Sequence, residues 1–322
     1  MNNGISDPDV MKKILFAFVS VILLLFTLLH TDSAIPAARA GMNLWLNTLF
    51  PTLLPFIILT GILMRTELME SLFYPARILL KYLFGLSPCG GYALFAGLLC
   101  GYPMGAKITS DLYRQGKLSL RESCYLMTFS NNASPAFLTG YVYLTCLKKV
   151  IPLKYILFPL IIADITVMLF FRIIIFHRKT IMPVSCVLPK KETSFASGFD
   201  AFVDVSIMNG FETMARLGGY ILLFSLAGAM LKEYLPYRGS IFYLLTGSME
   251  LTNGLHMIAG TNLSTETKYL YSMVLTSFGG LCVVCQTRSV SHPHIPLKYY
   301  LCAKCINTGI TALLILFLRK II

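Results

Sequence analysis

Long apolar runs alternate with short, polar and often basic segments along most of the chain. Seven runs approach or reach the length of one bilayer crossing, which takes about 17–25 apolar residues in an α-helix. They cover residues 14–29, 43–64, 123–146, 152–176, 211–231, 269–290 and 298–318. We therefore predict an all-α polytopic membrane protein, because a helix satisfies its own backbone hydrogen bonds in lipid.

Two further apolar stretches, residues 90–116 and 240–260, are interrupted near their midpoints. The first contains the segment CGYPMG at 100–105, in which proline removes a backbone donor and glycine tolerates positive φ. The second contains TGSMELTNG at 246–254, which is rich in turn-compatible residues. Both stretches are predicted to be re-entrant helical hairpins.

Two segments of other kinds complete the first half. Within residues 68–84, apolar residues recur at helical spacing while Glu70, Arg77 and Lys81 lie elsewhere on the turn, which predicts an interfacial amphipathic helix. Residues 177–197 combine four basic residues with Pro183 and Pro189. This segment is predicted to be a basic cytoplasmic linker that divides the chain into halves.

The two halves present the same parts in the same order. After an N-terminal transmembrane anchor at 1–40, the first repeat (41–176) carries the hairpin 90–116 and a helix with a polar break, 123–146. The second repeat (198–322) carries the hairpin 240–260 and the broken helix 269–290. Broken spans at matching positions of two halves point to a transporter's binding site.

The distribution of Lys and Arg favours opposite orientations for the two hairpins. With the N-terminus inside, most of the 27 basic residues fall on the cytoplasmic side, as the positive-inside rule expects. Lys148, Lys149 and Lys154 fit this arrangement poorly. The first hairpin then opens from the cytoplasm and the second from the other face, which makes the repeat an inverted one.

Composition excludes several other classes of protein. The chain is 56% hydrophobic and 13% charged, with a mean hydropathy of +0.70, against about 45–50% apolar and about 25% charged in soluble domains. The net charge of +12 comes from clusters between apolar runs, so we expect a lipid bilayer as partner and no nucleic acid. Nine cysteines, mostly in apolar runs, are not expected to form a disulfide framework.

Three motifs carry a family resemblance: FAGLLCGYPMGAK at 95–107, SNNASPAF at 130–137 and TGSMELTNG at 246–254. Together they resemble the sporulation integral membrane protein YlbJ family, also called SpoVV, over about residues 40–318. That family is grouped with nucleoside-recognition (Gate) domain proteins and is similar in plan to concentrative nucleoside transporters. The resemblance implies a role in endospore formation, moving dipicolinic acid from the mother cell across the outer forespore membrane. The nucleoside-transporter plan also points to a homotrimer.

The first half supplies several candidate substrate contacts. The half-helix that follows Pro103 would direct backbone N–H groups and a positive dipole end at the site, and Lys107 in its first turn would add a full charge. This chemistry suits a dicarboxylate such as dipicolinate, although Lys107 could instead extend to the cytoplasmic interface. Asn131, Asn132 and Ser134 precede Pro135, so they are expected to contact substrate or to pair with the carbonyls that proline leaves free.

The second half contributes Glu250, at the tip of its hairpin. Its carboxylate would bind a coupling ion, Na⁺ or H⁺, or pair with Lys107 when the site is empty. The alternative is a carboxylate in a water-exposed loop. Asn253, Ser277 and Gln286 are lesser candidates for substrate binding, and the hairpin tips are expected to meet near Asn131 and Ser277. Asp164, in mid-span, would be a proton site or would pair with another helix.

Enzymatic and cofactor chemistry find little support in the sequence. Cys282, Cys285, Cys302 and Cys305 have zinc-ribbon spacing, but thiols in apolar helices usually behave as small hydrophobes, so we expect no metal and no cofactor. No phosphate-binding GxxxxGK[ST] motif or hydrolase motif is present. We expect no enzyme but a transporter of a small anion, foremost dipicolinate, by alternating access. The alternatives are a nucleoside transporter of the same fold and a non-transporting sporulation membrane scaffold.

Overall fold

The computed structural model describes residues 8–65, 72–176, 199–235 and 239–318, and every regular element in these ranges is helical. The helices are α1 (Pro8–Leu29), α2 (Thr31–Leu44), α3 (Phe50–Arg65), α4 (Arg77–Leu79), α5 (Pro88–Cys100), α6 (Met104–Arg114), α7 (Leu120–Leu126), α8 (Pro135–Phe137), α9 (Leu153–Phe170), α10 (Phe199–Tyr234), α11 (Ser240–Met249), α12 (Leu251–Ala259), α13 (Thr265–Phe278), α14 (Gly280–Val290) and α15 (Lys298–Leu318). Wider helical turns continue them at Trp45–Leu49, Leu80–Phe84, Leu138–Cys146 and Phe171–Ile175.

Within the described residues, five helices are long and apolar enough to cross a membrane. They are Thr31–Met64, Leu153–Ile175, Val203–Tyr234, Thr265–Val290 and Lys298–Leu318. A sixth span results if Arg77–Phe84 and Pro88–Cys100, which meet at a bend of 74°, count as one. The predicted all-α polytopic membrane fold is confirmed. The number of full spans is below the predicted seven, because Lys13–Leu29 is shorter and residues 123–146 do not form one helix.

The helix predicted at 43–64 begins earlier, at Thr31, and continues through the wide turn Trp45–Leu49 into α3. The boundary that we placed at residue 40 therefore falls inside a continuous helix. This helix packs along α10. Trp45 connects the wide turn to α10, because its indole N–H donates to the carbonyl of Met214 at 2.9 Å.

The amphipathic helix predicted at 68–84 is not continuous. Residues 72–84 are described, and the helix is interrupted at 74–76. Pro75 is the cause, since proline lacks an N–H and disfavours helical geometry in the residue before it. The predicted linker 177–197 lies outside the described residues.

Two helical hairpins lie at the positions of the interrupted apolar stretches. In the first, residues 101–103 join α5 to α6; in the second, Glu250 joins α11 directly to α12. The arms touch at glycines, since a Cβ on Gly254 would lie 2.2 Å from the Cα of Gly247. Insertion of the hairpins from opposite membrane faces, as an inverted repeat, stays a prediction.

Both helices that follow the hairpins are broken. The chain leaves α7 after Leu126 and resumes as α8 at Pro135, with the Ser134 hydroxyl accepting the N–H of Phe137 at 3.2 Å. Between α13 and α14 the break is short and depends on two glycines, Gly279 (φ +87°) and Gly280 (φ +84°). The left-handed region is open to glycine at little steric cost.

The first hairpin leaves no room for a side chain at Gly105. A Cβ there would lie 2.0 Å from the carbonyl oxygen of Ser130, so Gly105→Ala must displace α6 from the first break. Overpacking of this kind costs about 1–3 kcal/mol. We expect a lower melting temperature for the purified protein in detergent. Gly140→Ala is the matched control, because no atom lies within 4 Å of its added Cβ; equal losses for both variants would contradict the close approach.

Candidate functional site

A cavity of about 360 Å³ lies where the two hairpin tips meet, within the range of about 300–1,000 Å³ that is usual for small-molecule sites. Polar and tip residues of its wall are Gly101, Tyr102, Pro103, Ser134, Tyr141, Glu250, Thr252 and Gln286, together with Thr48 and Thr52. Helices α2, α3, α10 and α14 complete the wall, mostly with apolar side chains. Four predicted site residues, Pro103, Ser134, Glu250 and Gln286, therefore come together here.

Four helices begin at this wall. Pro103, Ser134 and Glu250 are the N-cap residues of α6, α8 and α12, and Cys282 and Val283 belong to the first turn of α14. The first N–H groups of a helix have no partner within it and carry a partial positive charge. At α12 the N–H groups of Thr252 and Asn253 already donate to the Glu250 carboxylate, and at α8 the N–H of Phe137 donates to the Ser134 hydroxyl. The starts of α6 and α14 have no side-chain cap, so their positive dipole ends would favour a negative group on the ligand.

Glu250 is the one Asp, Glu, Lys or Arg in the wall. Its carboxylate accepts hydrogen bonds from Thr252 N at 3.1 Å, Thr252 Oγ1 at 2.6 Å and Asn253 N at 2.8 Å. With 6% of its surface exposed, it is not in a water-exposed loop. Glu250 also lines a second, smaller cavity with Lys232 and Asn253, so it separates the two spaces.

Lys107 does not reach the cavity wall. Its ammonium donates to Asp111 Oδ2 at 3.0 Å and to Asn209 Oδ1 at 3.1 Å. Asp111 lies one turn further on the same face of α6, which makes it the nearer counter-ion. The expected pairing with Glu250 is therefore wrong in this structure. Lys107 is 7% exposed, so protein surrounds its side chain; its extension to the cytoplasmic interface stays a prediction.

Asn131 and Asn253 connect helices next to the cavity. Asn131 accepts the N–H of Ala106 at 3.4 Å and donates to Thr287 at 2.9 Å, which ties the first break to α6 and α14. Asn253 donates to the Ser225 hydroxyl at 3.1 Å. Neither side chain lines the cavity, so both position the hairpin tips.

Asn132, Asp164 and Ser277 belong to a separate buried polar cluster, which also contains Lys304 and Asn307. Asp164 Oδ1 accepts N–H groups from Asn132 at 2.8 Å and from Asn307 at 2.5 Å. The Lys304 ammonium donates to Asn132 Oδ1 at 2.5 Å and to the Ser277 carbonyl at 3.3 Å. The Ser277 hydroxyl donates to Asn307 Oδ1. The cluster therefore links both helix breaks to α9 and α15.

Lys304 and Asn307 were not among the site residues predicted from the sequence. A signal was present, because Lys304 is an isolated ammonium inside the last apolar span and Asn307 lies three residues on, on the same helix face. Of the two alternatives for Asp164, the structure shows contact with other helices. Its function as a proton site stays a prediction.

Tyr102 lies between the cavity and this cluster. Its side chain lines the cavity, while the Lys304 ammonium lies 5.7 Å from the centroid of its ring, within the usual distance of a cation–π contact. The Tyr102 ring therefore contacts both the cavity and the buried Lys304 ammonium.

The four cysteines with zinc-ribbon spacing are not gathered into one site. Cys282 is buried, Cys285 is half-buried, and Cys302 and Cys305 are exposed. Within the described ranges, no group of three or more His, Cys, Asp or Glu side chains is placed to hold a metal ion. The zinc alternative has no geometric support there.

Removing one charge of the cluster should be worse than removing both. Lys304→Met or Asp164→Asn leaves the other charge buried without compensation, which we expect to cost about 3 kcal/mol, the lower end for buried pairs, because Asn132 lies between the two groups. The double variant should recover part of that loss. Denaturant unfolding in detergent measures all four proteins. Additive losses would show that the two charges are uncoupled.

No family model matches the chain. The sporulation integral membrane protein YlbJ of Bacillus subtilis (strain 168) is 24% identical over 327 aligned residues, which cover 90% of this chain and 79% of YlbJ. The structure of CNTnw, a variant in an outward-facing state, aligns with a TM-score of 0.45 and 13% identity, over 97% of this chain and 88% of that one. The chain is thus an all-α polytopic membrane protein similar to YlbJ, and the resemblance predicted from its motifs is confirmed.

Proposed function

We propose that this chain is a secondary transporter that carries a small anionic metabolite, dipicolinate, by alternating access. One observation supports this above all: two hairpin tips and two helix breaks surround one cavity of about 360 Å³. Discontinuous helices that meet at a site are the usual architecture of secondary transporters. Hairpins that enter from opposite membrane faces, as predicted, would open the cavity to opposite sides when their tips move.

The wall suits a planar dicarboxylate in two ways. The beginnings of α6 and α14, which have no side-chain cap, offer positive dipole ends to carboxylates. Tyr102, Phe137 and Tyr141 offer aromatic surfaces to the pyridine ring. Since the relative is named as a sporulation membrane protein, we infer a role in endospore formation, in the outer forespore membrane.

A nucleoside is the second candidate cargo. The wall contains no Lys or Arg, and it presents the Glu250 carboxylate and the Gln286 amide, groups that hydrogen-bond hydroxyls and bases. A carboxylate in the wall opposes an anion, whereas a neutral nucleoside is indifferent to its charge. A scaffold without transport would not explain the cavity between the hairpin tips.

Uptake into liposomes that hold the purified protein distinguishes these cargoes. Glu250→Gln removes a negative charge and releases a backbone N–H of α12, so the KM for labelled dipicolinate should fall roughly fivefold, equivalent to about 1 kcal/mol. The same change should raise the KM for a labelled nucleoside, because a hydrogen-bond acceptor for its hydroxyls is lost.

Two variants serve as controls for this measurement. Glu212→Gln removes an exposed carboxylate of α10 that is paired with Arg216, and Lys107→Gln changes a side chain outside the cavity wall. Both should leave the KM for dipicolinate within about twofold of the wild type, since neither removes a contact to cargo. Saturable nucleoside uptake without dipicolinate uptake would favour the second candidate, and uptake of neither by folded protein would argue against transport of both cargoes.

A further inference from the structure

We propose that Asp164 binds the proton of the transport cycle and that Lys304 is its fixed counter-charge, so that the chain moves its anionic cargo together with H⁺. This inference rests on the transport function proposed above. It concerns the buried cluster behind Tyr102, outside the cavity wall.

Hydrogen-bonding chemistry determines how both amides of the cluster are oriented. An ammonium only donates, so Asn132 must turn Oδ1 to Lys304 and Nδ2 to Asp164. The Asn307 amide is oriented likewise, because its Oδ1 accepts the hydroxyls of Ser277 and Thr311 while its Nδ2 faces Asp164. Asp164 therefore faces N–H donors, and both amide oxygens point away from it.

This environment is suited to a proton and not to a metal cation. Hard cations are held by several oxygen ligands, whereas the groups around Asp164 Oδ1 are two amide N–H donors. The positive charge of Lys304 in the same cluster opposes any added positive charge, a proton included, so only the number and kind of ligands separate H⁺ from a metal cation here. A proton needs only the carboxylate oxygen, so we assign H⁺ and not Na⁺ to this position.

Charge balance couples the proton to the cargo. With Asp164 ionised, its charge and that of Lys304 cancel; after Asp164 takes a proton from water, Lys304 remains as an uncompensated buried cation, which is unfavourable in a membrane. An anion in the cavity would offset it across Tyr102, whose ring centroid is 5.7 Å from the Lys304 ammonium. By linkage, proton uptake and anion binding then favour each other.

Protonation of Asp164 also affects the hydrogen bonds of both helix breaks. Asp164 bonds to Asn132, in the first break, and through Asn307 to Ser277, next to the second break. A protonated carboxyl is a donor itself and accepts these N–H groups more weakly. Protonation therefore loosens both breaks at once, and the proton leaves Asp164 for water when the cargo is released.

In the described part of the chain, Lys304 is the charged side chain that interacts electrostatically with Asp164. It lies on α15, which packs along α9. The segment Leu138–Cys146, which also packs against α9, contains no Asp, Glu, Lys or Arg, and the hydroxyl of its Tyr141 is bonded to the Thr252 carbonyl. Asp164 and Lys304 therefore form the charge pair of this cluster.

The test uses the full-length protein in liposomes, with labelled dipicolinate as the probe and a pH-sensitive dye in the lumen. We expect an acidic exterior to stimulate uptake, dipicolinate entry to acidify the lumen, and a Na⁺ gradient to have no effect.

Asp164→Asn, which imitates the neutral carboxyl, should keep dipicolinate exchange but lose the stimulation of uptake by an acidic exterior. Glu212→Gln, the matched control on α10, should retain it. The neutral double variant Asp164→Asn/Lys304→Met should also lose it, and is used if the single variant does not fold.

Infrared spectroscopy follows the proton without cargo. A carbonyl band of a protonated carboxyl should appear on acidification and be absent from Asp164→Asn but present in Glu212→Gln. If this band is found and dipicolinate is not taken up, the proton site stands and the proposed cargo fails. If dipicolinate uptake ignores the pH gradient, or if Asp164→Asn keeps both the stimulation and the band, the coupling is overturned while transport itself stands.

Discussion

Two broken helices persist in this apolar protein because other protein groups bond to polar atoms that the breaks expose; the buried Ser130 hydroxyl in the first break is an exception. Hydrocarbon offers no hydrogen bonds, so an unpaired backbone group there costs several kcal/mol. At the first break, the Asn132 carbonyl accepts the N–H of Tyr102 at 2.8 Å, Asn131 bonds to Ala106 and Thr287, and Ser134 caps α8. The break and the first hairpin tip therefore depend on each other.

The same constraint explains why the cavity and the buried charges lie side by side. The atoms that complete the breaks come from α6, α9, α14 and α15, and these helices must approach closely to supply them. Glycines at the hairpin arms allow this approach, as the contact of Gly254 with Gly247 shows. Helix ends then face a common space, whose wall contains the Glu250 carboxylate and no basic side chain.

Pro103 and Glu250 show what local chemistry predicts well. Proline next to glycine favours the end of a helix, and a carboxylate among turn-forming residues readily caps the next helix, so the two tips could be placed from the sequence. Proline alone is not sufficient, since Pro36, Pro55 and Pro159 lie inside helices. Lys107 shows the opposite case. Its position in the first turn of α6 was correct, but the direction of its side chain depends on Asp111 and on Asn209 of a helix about 100 residues away.

The sequence by itself determined that the protein lies in lipid, that it is helical, and where its two hairpin tips and two broken helices occur. Apolar runs and clusters of proline, glycine and polar residues act on the chain within a few residues. Only the tertiary structure decided which polar groups meet. Lys304 and Asp164 are far apart in the chain and become neighbours because α15 packs along α9, while the Asn132 amide from the first break bridges them. Hydrogen-bond partners of buried side chains are chosen by packing across the fold, and no local pattern records that choice.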